Sequence, residues 1–238
     1  MRECGSCVGL SPPSRTNLRR VFVAALAAAV GAAILFWATL PDVRSLARSW
    51  PATTSFMERR KAELARQGVP TKLEWSPVPL SRISPEMQRA AVVAEDARFW
   101  SHDGVDWEAM RGAFARNWEE GRLKVGGSTI TQQLAKNLYL TPARTPWRKI
   151  RELAIAWKLE RALSKKRILE LYLNVIEFGS RTFGVEAAAR RYMGKSARDL
   201  SREEAATLAA VIPSPRIYDP VAHKDRVARR AQRILRWM

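Results

Sequence analysis

The sequence predicts a mostly α protein, a helical domain preceded by one membrane-spanning helix. Three observations carry this. Residues 21–40 read VFVAALAAAVGAAILFWATL without a single charge. From Ser84 onward, apolar residues recur at helical spacing almost to the end, punctuated by capping residues. No β-branched alternating run is long enough to build a convincing sheet, and there is no internal repeat. With 238 residues, 47% of them hydrophobic and 27% charged, the chain has enough apolar material for one packed core.

The apolar run sets the organisation. At about 1.5 Å per residue it spans about 30 Å, the thickness of a bilayer's hydrocarbon core. A secretory signal peptide is the rival reading, but the run is long for a signal core and its A-x-A lies mid-run. Arg15, Arg19 and Arg20 precede it, so the positive-inside rule keeps residues 1–20 in the cytoplasm and exports everything after Pro41. Residues 41–72 then read as a juxtamembrane linker and helix, and 73–238 as the main helical domain. Lys and Arg number 41 against 23 Asp and Glu, a formal +18, most of it on the exported part. Composition of this kind suits a polyanionic partner. An exported, tethered domain meets lipid headgroups and lipid phosphates, not nucleic acid. Cys4 and Cys7 form a lone C-x-x-C in the predicted tail, short of the four ligands of a structural zinc.

The helices follow in order. Thr54 or Ser55 caps a helix over 55–67, which Gly68 and Pro70 end. A segment with Pro70, Pro77 and Pro79 runs extended without regular structure. Ser84-Pro85-Glu86 opens a helix with a cap, a first-turn proline and early negative charge, and it runs to Glu95 and Asp96. A helix over 106–120 aligns Trp107, Met110, Phe114 and Trp118, either as core or as a face dipping into a membrane interface. Ser128 starts the next helix, Trp147–Leu163 forms another, and Ser164 caps one that ends at Gly179. Ser201-x-x-Glu204 is a capping box for a helix stopped near Pro213, and an amphipathic helix closes the chain over 224–236.

Polar residues cluster in four places. In EDARFWSHDG, Glu95 and Asp96 end an Ala/Val-rich helix. Partial desolvation and the negative end of the helix dipole favour the neutral form there, making a better base than a surface Glu. In GGSTITQQLAKN, two glycines precede a helix N-terminus, an arrangement that suits an anion. Ile130, Leu134 and Leu138 form that helix's buried stripe; Thr129, Gln133, Lys136 and Asn137 form a second stripe that reads as a sugar- or phosphate-facing wall. Arg144, Arg148 and Lys149 precede Glu152 and, with Lys136, could clamp a pyrophosphate or simply solvate a helix start. KKRILELYLN, with Ile168, Leu171, Tyr172 and Val175, reads as scaffold.

These blocks, together with GVEAAARRYMGK, resemble the five motifs of the peptidoglycan glycosyltransferases (glycosyltransferase family 51), in family order over roughly residues 80–215. PATTSFMERR and the end of the chain soon after the domain resemble the stand-alone, monofunctional form. No Ser has Lys three positions on, so the S-x-x-K of penicillin-binding catalysis is absent. The resemblance implies a lysozyme-like helical domain with a small membrane-dipping jaw. It implies polymerisation of glycan strands from lipid II, with Glu95 as the base for the acceptor 4-hydroxyl and Glu152 as a second carboxylate orienting the cations or the donor. Lys136, Arg144 and Arg148 would neutralise the leaving pyrophosphate, and Ser128, Gln132 and Gln133 would touch substrate. Asp96, Phe99, His102, Gly127, Thr129, Asn137 and Lys149 would line the substrate site in the same motifs. No cofactor or resident metal is required, though a divalent cation such as Mg or Mn is compatible with the pyrophosphate. The expected partners are lipid II, the nascent strand, the membrane, and cell-wall synthesis or division proteins. The expected location is the inner membrane, single-pass, with the catalytic domain in the periplasm. A lytic transglycosylase or muramidase has no need of a cationic pyrophosphate clamp, and a non-catalytic lipid II-binding scaffold has no need of Glu95 and Glu152.

Overall fold

The computed structural model describes residues 15–112, 127–143, 145–218 and 220–238, in two units, Met1–Leu40 and Pro41–Met238. The first unit holds α1 (Arg15–Ala38). Its stretch Arg19–Ala38 has a mean hydropathy of 2.4 and buries nothing, which is compatible with a single-pass anchor. The cysteines lie outside the described residues.

The second unit is helical because its sequence supplies a cap at nearly every start. The Thr54 side chain accepts from Met57 N–H to open α2 (Ser55–Arg66), and Ser84 does the same for α3 (Pro85–Glu95) through Met87 N–H. Residues 107–112 are helical (α4); Trp107 is exposed, while Phe114 and Trp118 lie outside the described residues. Helix α5 (Ile130–Tyr139) begins two residues later than Ser128 suggested. Thr129 is its cap and accepts from Gln132 N–H, while Ser128 stays exposed. Helix α6 (Pro146–Ala162) starts on Thr145 and Pro146, and α7 (Lys165–Val175) on Ser164. Beyond them come α8 (Val185–Met193), α9 (Arg202–Val211) with both halves of the Ser201/Glu204 capping box, and α10 (Lys224–Leu235). Helix α2 packs on α5 within this unit.

Helix α7 stops at Val175 rather than Gly179, because residues 177–179 become a strand. Three short strands, β1 (Glu74–Trp75), β2 (Glu177–Gly179) and β3 (Thr182–Phe183), form a sheet in the order β1-β3-β2, with β1 parallel and β2 antiparallel to β3. The proline-rich segment therefore carries a strand. The passage from β3 into α8 needs Gly184: its φ is +78°, and a Cβ there would lie 2.6 Å from the Asn174 carbonyl oxygen.

Two helix layers share the core. Helix α5 packs between α6 and α7, and α9 packs between α3 and α10. Ile130, Leu134, Ile155, Leu159, Ile168, Leu171 and Tyr172 are buried in the first layer; Met87, Ala90, Leu208 and Ala209 are buried in the second. In α10, Val227, Ala231 and Ile234 recur at helical spacing and turn inward. The KKRILELYLN block is scaffold, as its periodicity predicts. Asn174, fully buried, accepts from Val78 N–H (2.8 Å) and donates to Val78 C=O (2.9 Å) and Glu170 C=O (2.7 Å), fixing the extended segment to α7.

Asn174→Ala leaves both Val78 groups without their side-chain partner and should cost about 2–4 kcal/mol. Denaturant unfolding of the detergent-solubilised protein checks this; a loss below about 0.5 kcal/mol would mean that the extended segment is held elsewhere.

Candidate active site

The site grows from the end of α3. Asp96 leaves the helix with an extended backbone, and its buried carboxylate reaches across to α5. Oδ2 accepts from Ile130 N–H at 2.9 Å, occupying an open N-terminal donor of α5, where a negative charge is favoured. His102 Nε2 lies 2.9 Å from Oδ1 and 3.1 Å from Oδ2. His102 Nδ1 accepts from Gly104 N–H (3.1 Å), which puts the ring proton on Nε2, aimed at Asp96. Gly104 C=O in turn accepts from Thr129 Oγ1 (2.6 Å) and Gln132 Nε2 (3.3 Å). Gly104 has φ +86°, and a Cβ there would sit 2.9 Å from Glu160 Cγ, so the His-Asp-Gly turn requires glycine. Phe99 is fully buried under this knot, with Lys165 Nζ 4.6 Å from its ring centroid.

With α3 and α5 joined, Glu95 meets the polar side of α5. Its side chain is 9% exposed. Gln133 Nε2 donates to Oε2 at 2.9 Å, and Tyr172 Oη donates to Gln133 Oε1 at 3.1 Å, so the amide is held from both ends. Burial pushes the Glu95 carboxyl above the ordinary glutamate value; the Gln133 hydrogen bond and the charges of Arg230 and Lys136 oppose that, and Asp96 adds to it. Burial likewise pushes the Tyr172 phenol well up, with Glu95 and Asp96 adding to the effect.

One turn on, Lys136 faces α6. Burial pulls its ammonium below the ordinary lysine value; Glu152 opposes this, and Arg148 and Lys149 reinforce it. Glu152 is 4% exposed and holds two cations of its own helix. Arg148 pairs with Oε2, and Lys149 Nζ lies 2.5 Å from Oε1. Lys149 also donates to Gln132 Oε1 (2.8 Å) and Ser128 Oγ (3.3 Å), so α6 is tied to the start of α5. Three cations thus surround one buried carboxylate and leave an excess of positive charge. Arg144 lies outside the described residues. Beside Glu95 opens a cleft of about 410 Å³, lined among others by Arg98, Asp106, Glu108, Gly127 and Ser128.

The structure therefore brings together Glu95, Gln133, Lys136, Arg148, Lys149 and Glu152, with Gly127 and Ser128 at the cleft. Asp96, Phe99, His102, Thr129 and Gln132 have partners inside the protein and hold the site's frame. Asn137 is buried and donates to Gln133 C=O at 2.7 Å, within its own helix. Sequence reasoning missed three groups. Tyr172 was read only as core. Arg98 pairs with Asp106 at the cleft, and its hydrogen bond, with that from Ala109 N–H and the nearby positive charge, holds Asp106 below the usual carboxylate range against the opposing effect of burial. Arg230, from α10, places Nη2 3.4 Å from Glu95 Oε1.

Among the described residues, Asp96, His102 and Asp106 bring ligand atoms within 4.8 Å of one another, the geometry of a cation site. Each is already engaged: Asp96 with Ile130 N–H and His102, His102 with Gly104 N–H, Asp106 with Arg98 and with Ala109 N–H at 2.8 Å. A cation would have to break this knot, so the donor set does not fit one.

A buried carboxylate near a cation cluster suits transfer of a group from an anionic leaving group, and comparison with known proteins gives a class of that kind. Residues 61–238 match the Transglycosylase family profile. The chain belongs to the transglycosylase family. It is similar to the biosynthetic peptidoglycan transglycosylase of Nitrosospira multiformis, 48% identical over 185 residues that cover 78% of this chain and 80% of the relative. The protein of that name from Laribacter hongkongensis is 48% identical, covering 78% of this chain and 81% of its own. That from Dechloromonas aromatica is 52% identical over 172 residues, covering 71% and 73%.

Asp96→Asn removes the charge that caps α5 and orients His102. It should lower stability by about 1–3 kcal/mol and lower turnover with it, because Glu95 loses its register against Gln133. Thermal unfolding and an activity assay on the same preparation check this; unchanged stability would show that the α3–α5 junction does not depend on this carboxylate.

Proposed function

We propose that the chain is a biosynthetic peptidoglycan glycosyltransferase that extends glycan strands from lipid II. The observation that carries the reading is the placement, on either side of α5, of a buried carboxylate raised towards its neutral form and a cluster of cations with net positive charge. Glycosyl transfer from a pyrophosphate needs these two things: a base for the acceptor and stabilisation for the leaving group.

In this reading Glu95 accepts the proton from the 4-hydroxyl of the incoming lipid-linked disaccharide. The oxygen attacks the anomeric carbon of the growing strand as the bond to the lipid pyrophosphate breaks, and the electron pair leaves on phosphate. Attack opposite the leaving group inverts the α linkage to β. Lys136, Arg148 and Lys149, with Arg144, meet the charge that develops on the pyrophosphate, where Arg offers forked donors and Lys point charges. Glu152 keeps Arg148 and Lys149 aimed. Gly127 and Ser128 line the path of the substrate at the cleft, and buried Gln132 holds Lys149 in place. Asp96, Phe99, His102, Thr129 and Asn137 serve the site from within. The residues given these roles need no metal to balance the reaction, and a divalent cation accompanying the pyrophosphate would be substrate-borne.

A lipid-linked substrate also gives α1 a purpose, since it confines enzyme and lipid II to one surface. We place the N-terminus in the cytoplasm and the catalytic unit in the periplasm, on the three arginines that flank the apolar run. Proteins of cell-wall synthesis or division are the partners this location offers.

The test is incubation of the purified full-length protein with fluorescent lipid II, with products resolved by size. A ladder that muramidase removes is expected. Glu95→Gln should lower the rate by about 10²–10⁴-fold in a folded protein, and Lys136→Ala by about 10²–10³-fold. Absence of polymer from the wild-type protein, or a wild-type rate in Glu95→Gln, would refute the reading.

A further inference from the structure

The candidate base has two oxygens, and the structure treats them differently. Oε2 of Glu95 accepts a 2.9 Å hydrogen bond from Gln133, whose amide is fixed in turn by Tyr172. Among the described residues Oε1 has only the 3.4 Å approach of Arg230 Nη2, longer than the roughly 2.7–2.9 Å of a tight charge-assisted bond. Arg230 comes from α10, far along the chain from every motif that resembles the family pattern. It is next to Ala231 and three residues after Val227, both buried, so it leaves α10 at the rim of the packed face. Its side chain is 24% exposed, its Nε is buried without a hydrogen-bond partner among the described residues, and its guanidinium carbon lies 5.9 Å from the ring centroid of Tyr218. Packing alone does not account for a cation in that position, since burying a charge is costly unless something balances it. The group that balances it is Glu95.

We propose that Arg230 is a positioning residue for Glu95: it balances the carboxylate from α10 while leaving Oε1 as the atom that takes the acceptor's proton. Gln133 immobilises the opposite oxygen, so the carboxylate cannot rotate, and the loose approach of Arg230 leaves a lone pair of Oε1 for the incoming hydroxyl. The inference rests on the assignment of Glu95 as base made above and adds to it a named oxygen and a named counter-charge. The groups that face Glu95 are Asp96 at the end of its own helix, Gln133 and Lys136 from α5, Tyr172 from α7 and Arg230 from α10. Helix α9, also packed on α3, turns Ala205, Ala206, Leu208 and Ala209 inward and brings no charge through its buried face. Of the two cations acting on Glu95, Lys136 is shared with Glu152, whereas Arg230 has no other carboxylate partner among the described residues.

A base must be ionised to act, so the rate falls as pH falls through its pKa. Removing a positive charge raises that pKa and moves the acid limb of the pH–rate profile upward. The experiment measures kcat for lipid II polymerisation against pH for the full-length wild-type protein and for Arg230→Gln, Arg230→Met and Arg230→Lys, with thermal unfolding of each. Arg230→Met keeps an apolar stem of similar length, so a folded neutral variant is available even if glutamine disturbs α10. Both neutral variants should move the acid limb up by about one pH unit, with kcat recovering above it, and lysine should leave the limb near its wild-type position. A folded neutral variant whose limb stays in place, with a loss uniform across pH or no loss at all, overturns the proposal. The Glu95→Gln control separates the two claims. If that variant polymerises normally, the base assignment fails and this inference with it; if it is inactive while the limb is unmoved in the Arg230 variants, only this inference fails.

Discussion

The site depends on one buried carboxylate that we assign no chemistry. Asp96 joins the last residue of α3 to the first N–H of α5 and fixes the intervening His-Asp-Gly turn through His102. Because Glu95 is the preceding residue, this junction sets where the base lies relative to Gln133 and Lys136. Of the two adjacent acids, Asp96 is engaged by a backbone N–H and an imidazole, while Glu95 faces the polar side of α5. The two helix layers of the core meet at this point, α3 with α9 and α10, α5 with α6 and α7. A shift between the layers would separate Glu95 from the cations it works with.

The two carboxylates assigned to catalysis have opposite surroundings. Glu95 is desolvated, which favours its protonation, and the amide of Gln133 and the guanidinium of Arg230 oppose this only in part. Glu152 is as deeply placed but touches Arg148 and Lys149 directly. A base at the end of α3 and a cation holder on α6 can thus serve one site without exchanging roles. Glu152 also holds Arg148 and Lys149 near the buried ammonium of Lys136, and their combined positive charge suits a pyrophosphate.

Much of this was legible in the sequence, for physical reasons. Caps are local, so Thr54, Ser84, Ser164 and the Ser201/Glu204 box mark helix starts that the structure reproduces. The desolvation of Glu95 could be read from its place at the end of an Ala/Val-rich helix. The cap of α5 could not, because Ser128 and Thr129 are chemically alike and only the Gly104 carbonyl, 25 residues away, selects Thr129. The sheet was invisible because strands of two or three residues have no alternation to detect. The stripe of Thr129, Gln133, Lys136 and Asn137 read as one polar wall, yet Thr129 and Asn137 turn into the fold. Arg230 is one of five cations along α10, and nothing in the helix's pattern distinguishes it from Lys224, Arg226, Arg229 and Arg233. Only tertiary packing places it against Glu95.

The central claim is that burial holds Glu95 poised as a base. The direct measurement is a ¹³C-carboxyl NMR titration of glutamate-labelled full-length protein in detergent, with Glu95→Gln used to assign the resonance. The account predicts a carboxyl that titrates above the ordinary glutamate range and is missing from the variant. Because burial also raises Glu177, the assignment by loss is essential. If every raised resonance persists in Glu95→Gln, or if Glu95 titrates at or below the ordinary value, the account of this site is wrong.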